Sequence, residues 1–265
     1  MRDIRICVAG ADGRMGSAVL KEAESKGMAI SGAVVKDGNE CIGQVLSDVG
    51  ICRSDAVIHG SSSLAEALEG SDVYITFTNP QSELENIPRV VDMKKRVVMG
   101  TTGFSAEEME RIEAIIRRSV PAVISPNLSI GVNVLFRLAE LMEAIPQDYD
   151  VSIFEVHHTG KVDSPSGTAK KLAEIVSEAK GYDKNVHGRE GSSRRAVDEL
   201  EILSARIGGV PGLHDLMVAG PHEMLRVEHT AFSRRAFAHG AIHAAMWIME
   251  KEEPEVYSML DVLGI

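Results

Sequence analysis

Along the first half of the chain, apolar residues come in short, nearly unbroken runs that each end in glycine or a small polar residue. IRICVAG, from Ile4 to Gly10, shows little alternation, as expected of a strand covered on both faces. GADGRMG follows, and then a helical pattern from Ser17 to about Ser25. MAISGAVV ends at Val35 just before Lys36 and Asp37, and DVYITFTNP turns polar from Thr76 to Asn79. RVVMGTTGF and AVISPNLS repeat the theme, with the helical stretch SAEEMERIEAIIRRS between them. Strand, polar turn and helix in repeated succession predict a parallel, doubly wound sheet.

After Asn127 the pattern changes. An amphipathic helix from about Val132 to Ile145 leads to the strand SIFEVHH and a helix from Thr168. Three strand-like runs then follow without intervening helices: ELEILSARI, LHDLMVAG and HEMLRVEHTA. Such a succession predicts a mixed or antiparallel sheet. FAHGAIHAAMWIMEKE, from about Phe237 to Glu252, reads as a helix returning to the first domain. The expected architecture is α/β: a Rossmann-type dinucleotide-binding domain of residues 1–126 and 236–265, and an α+β domain of residues 127–235.

Composition narrows the function classes. The 265 residues, 44% hydrophobic and 25% charged, suffice for a genuine core, while only 4% are aromatic, which is little material for stacking bases. A net charge of −11 repels phosphate backbones and anionic lipid at long range, so nucleic acid and membrane are not expected partners. No apolar run reaches the roughly 20 residues that cross a bilayer. Cys7, Cys41 and Cys52 show no C-x-x-C spacing, and the chain opens in a strand-like run rather than an export signal, so the cytoplasm is the expected compartment.

The glycines at 10, 13 and 16 form G-x-x-G-x-x-G at a strand-to-helix turn. A tight turn, backbone close enough to touch a pyrophosphate and a helix N-terminus facing the anion are what dinucleotide binding requires. Glycines held only for packing are the competing explanation, disfavoured because strand and helix stand where the motif needs them. Ribose specificity should sit at the end of the second strand, at Lys36 or Asp37: the lysine argues for NADP, the aspartate for NAD. We expect NADPH to be preferred and NADH tolerated.

EVHHTGKVDSPSGT, from Glu155 to Thr168, concentrates proton donors and anion ligands. His157 and His158 end a strand and point to opposite faces, so one can face a cleft. Lys161 follows a Thr-Gly turn that lets the chain fold back toward the same cleft. Ser166, Gly167 and Thr168 open a helix and form an anion cradle at its start. Together these groups can hold a carboxylate and deliver a proton. Taken singly, each feature has a plain structural explanation, as a core histidine, a solvated lysine or a helix cap. His239 and His243 have the i, i+4 spacing of helical metal ligands but no obvious third ligand, and no metal is expected.

VAGADGRMG, FTNP, GTTGF, SPNLSIGVNV, EVHHTGKVDSPSGTA and FAHGA, in this order over nearly the whole chain, resemble the dihydrodipicolinate (4-hydroxy-tetrahydrodipicolinate) reductase family of the lysine and diaminopimelate pathway. The resemblance implies a Rossmann domain plus a substrate and tetramerisation domain, hence a homotetramer. It implies NADPH or NADH reducing a cyclic unsaturated dicarboxylate, with hydride going to ring carbon C4 and a proton completing the saturation. His157 corresponds to the family's proton donor or acceptor and Lys161 to its second acid, while His158, Gly167 and Thr168 match substrate ligands. Gly10, Ala11, Asp12, Gly13, Arg14 and Met15 match cofactor contacts, as do Gly100, Thr101 and Thr102, and Ser125, Pro126, Asn127 and Leu128. The last two groups also end apolar strands of the first domain, where open α/β sheets bind ligands. The segment from about Asp183 to Gly220 follows the family pattern only loosely and contributes no candidate. Two alternatives remain open: another nicotinamide enzyme, such as an amino-acid dehydrogenase, and a non-enzymatic nucleotide sensor.

Overall fold

A computed structural model describes residues 4–265. In chain order the first elements are β1 (Arg5–Ala9), α1 (Arg14–Ser25), β2 (Ala29–Val35), β3 (Ile58–Gly60), α2 (Leu64–Leu68), β4 (Val73–Thr76), α3 (Pro80–Asp92), β5 (Arg96–Met99), α4 (Ala106–Ile116) and β6 (Ala122–Ile124). There follow α5 (Ile130–Glu140), β7 (Asp150–His157), α6 (Gly167–Lys180), β8 (Lys184–Val186), β9 (Glu199–Arg206), β10 (Leu213–Ala219) and β11 (Met224–Thr230). Last come α7 (Arg235–Ile248), β12 (Val256–Tyr257) and α8 (Met259–Leu263). The chain divides into two compact units, one running up to Ser129 and resuming at Arg235–Gly264, the other Ile130–Arg234.

The first unit is built on a seven-stranded sheet of order β12-β6-β5-β4-β1-β2-β3, parallel at every pairing. All four residues of β4 are buried, as are the last four of β1, which accounts for their unbroken apolar sequence. Helix starts are written locally. Asn79 caps α3 by accepting from the Ser82 N–H, with Pro80 behind it, and Ser105 and Glu108 form a reciprocal capping box at α4. Helix α1 begins at Arg14, three residues before the sequence pattern suggests, because the glycine turn already delivers a helical entry.

The second unit carries a five-stranded mixed sheet of order β11-β10-β7-β9-β8. Strands β11, β10 and β7 pair antiparallel, whereas β9 runs parallel to β7 and β8. Val132, Leu135 and Phe136 of α5 and Leu172 and Val176 of α6 pack in one core with Val151 and Ile153 of β7 and Leu216 and Val218 of β10. The long amphipathic helix stops at Glu140 and tightens into a 3-10 turn at Leu141–Ala144 rather than running on to Ile145.

Candidate functional site

In the first unit, the carboxyl ends of β1, β2 and β4 surround a cavity of about 570 Å³, of the size small-molecule sites occupy. Gly10 turns the chain at φ +75, and a side chain there would run into the carbonyl oxygen of Phe77, so only glycine fits. Gly13 precedes α1 with extended backbone and no side-chain cap, leaving the first N–H groups of a 12-residue helix available to an anion.

Of the sequence-predicted cofactor residues, Gly10, Asp12, Gly13, Lys36 and Asp37 line this cavity. Ala11 is buried beside it, Arg14 and Met15 begin α1, and Asp12 accepts from the Asn39 side chain at 2.9 Å. Asp37 is committed elsewhere: its carboxylate accepts from the Ser61 hydroxyl at 2.9 Å and from the Ser62 N–H and hydroxyl, each at 3.0 Å. The Ser62 N–H, followed by the two hydroxyls, holds that carboxyl below the ordinary carboxylate range. Lys36 is exposed at the rim. Gly100, Thr101 and Thr102 follow β5, and Ser125, Pro126, Asn127 and Leu128 follow β6; none of these lines the cavity. Thr101 is buried and accepts from the Thr78 N–H at 2.9 Å, and the Ser125 hydroxyl donates to the Asn127 carbonyl at 2.8 Å.

The second unit places the other candidates. Strand alternation puts Val151, Ile153, Glu155 and His157 on one face of β7, so the apolar stripe that packs on the helices becomes polar at its carboxyl end. Register then assembles the neighbours. Glu155 stands opposite His214 of β10 and Ser204 of β9, Arg206 stands opposite His157, and His229 of β11 stands opposite His214. Glu155, His157 and His214 are all buried.

Within this cluster, Oε2 of Glu155 bonds Nδ1 of His157, while Oε1 accepts from Nη2 of Arg206 at 2.9 Å and from the Ser166 N–H at 3.3 Å. Burial alone would push the Glu155 carboxyl up, but hydrogen bonds from His157, Ser204 and Arg206 outweigh it and hold the group well below the usual range. Nη2 of Arg206 also donates to the Asp163 carbonyl at 2.6 Å, which ties the loop carrying Lys161 to the sheet. Nζ of Lys161 is 2.7 Å from the Asp163 carboxylate and keeps 22% of its side chain exposed.

His214 bonds the Ser166 hydroxyl through Nε2 at 3.2 Å and meets the His157 ring edge-on at 5.1 Å between centroids. Burial first, and the neighbouring His157 second, push His214 down to about 3, so it is neutral at working pH. Ser166 also caps α6, which begins at Gly167; Gly167 is exposed and Thr168 half-buried at this helix start. His158 is half-buried at the end of β7.

The structure brings His157 and Lys161, both expected from the sequence, to the same end of β7 as Glu155, Arg206 and His214, which the sequence pattern did not single out. Glu155 carried a usable signal, since E-x-H in a strand puts both side chains on one face. Arg206 and His214 lie within the segment given no candidates, and only the sheet register brings them in. Glu155, His157 and His214 also form a group whose ligand atoms lie within 4.8 Å of one another, a spacing that admits a metal ion. Both Glu155 oxygens are already engaged and the Arg206 cation sits beside them, which favours proton handling over a dication. Nδ1 of His239 bonds Glu22, which Arg235 also holds at 2.8 Å.

Residues 4–128 match the family model "Dihydrodipicolinate reductase, N-terminus" and residues 131–263 match "Dihydrodipicolinate reductase, C-terminus". The chain is 40% identical over 267 residues to a 4-hydroxy-tetrahydrodipicolinate reductase of Trichlorobacter lovleyi, covering 99% of each. It is 39% identical to one of Aquifex aeolicus, again over 99% of each. Among solved structures, a dipicolinate-bound dihydrodipicolinate reductase from Paenisporosarcina sp. TG-14 superposes with TM-score 0.75 at 25% identity, covering 97% of this chain and 98% of that one. An amine dehydrogenase from Mycobacterium smegmatis, at 13% identity and TM-score 0.68 over 97% of this chain and 95% of that one, shares the fold.

Proposed function

The chain belongs to the dihydrodipicolinate reductase family, and from that premise we propose that it reduces 4-hydroxy-tetrahydrodipicolinate to tetrahydrodipicolinate in lysine and diaminopimelate biosynthesis. The observation that carries the chemistry is the buried Glu155–His157 pair at the end of β7, with Lys161 on the loop that Arg206 holds down.

The first unit fits a nicotinamide dinucleotide. Its cavity is lined by Gly10, at a turn where a Cβ would collide with the Phe77 carbonyl, and an uncapped helix N-terminus follows. When bound, the reduced nicotinamide supplies the hydride. We assign the cofactor contacts to Gly10–Met15, with Gly100–Thr102 and Ser125–Leu128 at the neighbouring strand ends. Because Asp37 already accepts three hydrogen bonds, the exposed cation of Lys36 decides the ribose side, and NADPH is preferred with NADH accepted.

In the second unit, a dianionic ring is anchored by Gly167 and Thr168 at the start of α6 and by His158 and Lys161. His157 and Lys161 handle the proton: an N–H bond breaks, the proton passes to the substrate, and the nitrogen keeps the electron pair. Neutral His214 holds Ser166, and through it the α6 cap, without adding charge.

The active form we propose is a cytoplasmic homotetramer. Strand β11 supports this: it ends the five-stranded sheet with Met224 63% and Leu225 53% exposed, an edge suited to a second copy. The test is to follow nicotinamide absorbance with NADPH and NADH in parallel, supplying the condensation product of pyruvate and aspartate semialdehyde, with amino acids as control substrates. Oxidation of cofactor by the cyclic compound alone supports the reading; activity confined to the amino acids overturns it.

A further inference from the structure

We infer that Glu155 is a positioning residue that sets the tautomer of His157, and thereby assigns proton transfer to Nε2; this deepens the proposed function and rests on its reading of His157. The partners of the carboxylate divide between its two oxygens. Oε2 faces Nδ1 of His157, while Oε1 takes both Nη2 of Arg206, at 2.9 Å, and the Ser166 N–H, at 3.3 Å. These two donors are themselves fixed. Arg206 is pinned by the Asp163 and Ala205 carbonyls at 2.6 and 2.8 Å, and Ser166 is the N-cap of α6.

An ionised carboxylate only accepts, so Nδ1 must carry hydrogen whether the ring is neutral or charged. The exchangeable proton is then the one on Nε2. The fold keeps space beside that atom: a Cβ added to Gly212, the residue leading into β10, would sit 3.2 Å from Nε2 of His157. Glycine at 212 and glutamate at 155 therefore serve opposite nitrogens of one ring, the first clearing and the second holding.

The isosteric amide separates this role from packing. In Glu155→Gln, Arg206 and Ser166 both still donate and so demand the amide oxygen, which turns the NH₂ toward Nδ1. Nδ1 must then accept, the hydrogen moves to Nε2, and a charged ring would set N–H against N–H. Volume is retained, the Ser204 hydroxyl that also bonds Glu155 can either donate or accept, and the tautomer reverses.

The experiment is ¹⁵N NMR of the histidine imidazoles in the full-length protein, wild type and Glu155→Gln, with kcat and KM measured on both and on His157→Gln. Expected are an Nδ1–H tautomer for wild-type His157 and an Nε2–H tautomer in Glu155→Gln. There kcat should fall by about 10² to 10⁴, with KM for the nicotinamide nucleotide unchanged. An Nε2–H tautomer in the wild type overturns the inference without recourse to any variant that must fold. If His157→Gln is slow but Glu155→Gln keeps the wild-type rate, Glu155 is not a positioning residue while His157 retains its role. If His157→Gln itself turns over normally, the reading of His157 falls and this inference falls with it.

Discussion

Each unit buries a glutamate completely, and the two are driven in opposite directions. Glu83, on α3, is surrounded by hydroxyls: Thr76 donates at 2.6 Å, Thr78 at 2.5 Å and Tyr74 at 3.3 Å. Desolvation dominates there, and the Glu83 carboxyl is raised above its usual range. Glu155 is equally buried, but its partners include the Arg206 cation and the His157 ring, and it is lowered. Depth of burial alone therefore does not set a carboxylate's charge; the balance of desolvation against the hydrogen bonds and charges around it decides. One unit uses its glutamate to brace the polar ends of strands beside the cavity, the other to hold an imidazole.

The largest effect should come from removing the lowered carboxylate. Glu155→Ala leaves the Arg206 guanidinium without its carboxylate beside the buried His157, and should cost about 3–5 kcal/mol in urea unfolding. A cost no greater than that of an ordinary surface substitution would mean that the ion pair does not form.

His214 gives a pH signature of the same cluster. Its folded value of about 3 lies below the ordinary 6.5, so between those limits the unfolded chain takes up a proton that the folded chain refuses. Stability should therefore decline as pH falls from 6.5 to about 3, by up to about 1.4 kcal/mol per pH unit from this group. His214→Asn should flatten that part of the stability profile. Below 4.5 Glu155 adds to the decline, because a lowered carboxyl loses its contribution as it is protonated. Glu83 acts with the reverse sign, favouring the folded state most below 4.5 and fading as pH rises through its raised value.

A smaller effect is expected at the nucleotide cavity. Lys36→Ala should raise KM for NADPH about tenfold, the worth of one charge-assisted contact, and leave KM for NADH nearly unchanged. Equal shifts for both cofactors would remove Lys36 from the ribose side. Least is expected of Glu83→Gln, about 1 kcal/mol or below, since an amide can replace a carboxyl among neutral partners. A loss matching that of Glu155→Ala would erase the contrast between the two glutamates.

Much of the first unit could be read from sequence because its strands are buried on both faces and announce themselves as apolar runs, and because the glycine turn carries its own geometry in three residues. The second unit was harder. His157, Lys161 and Ser166 lie within ten positions of one another and read as a group. Arg206 and His214 are brought to Glu155 only by the pairing of β9 and β10 with β7, which no local pattern encodes. Period-two alternation does mark Glu155 and His157 as neighbours, and a histidine pair read for itself alone passes over it. Asp37 shows the converse limit, since its place after a strand suggests a ribose ligand while Ser61 and Ser62 occupy its oxygens.

The most direct test of the account is the turnover of the His157→Gln, Lys161→Ala double variant, with NADPH and enzymatically generated cyclic substrate, alongside a measurement of NADPH binding. The expected result is a kcat lower by at least about 10² to 10⁴ with cofactor affinity retained. Turnover at the wild-type rate would contradict it, because the proton would then be handled elsewhere than at the end of β7.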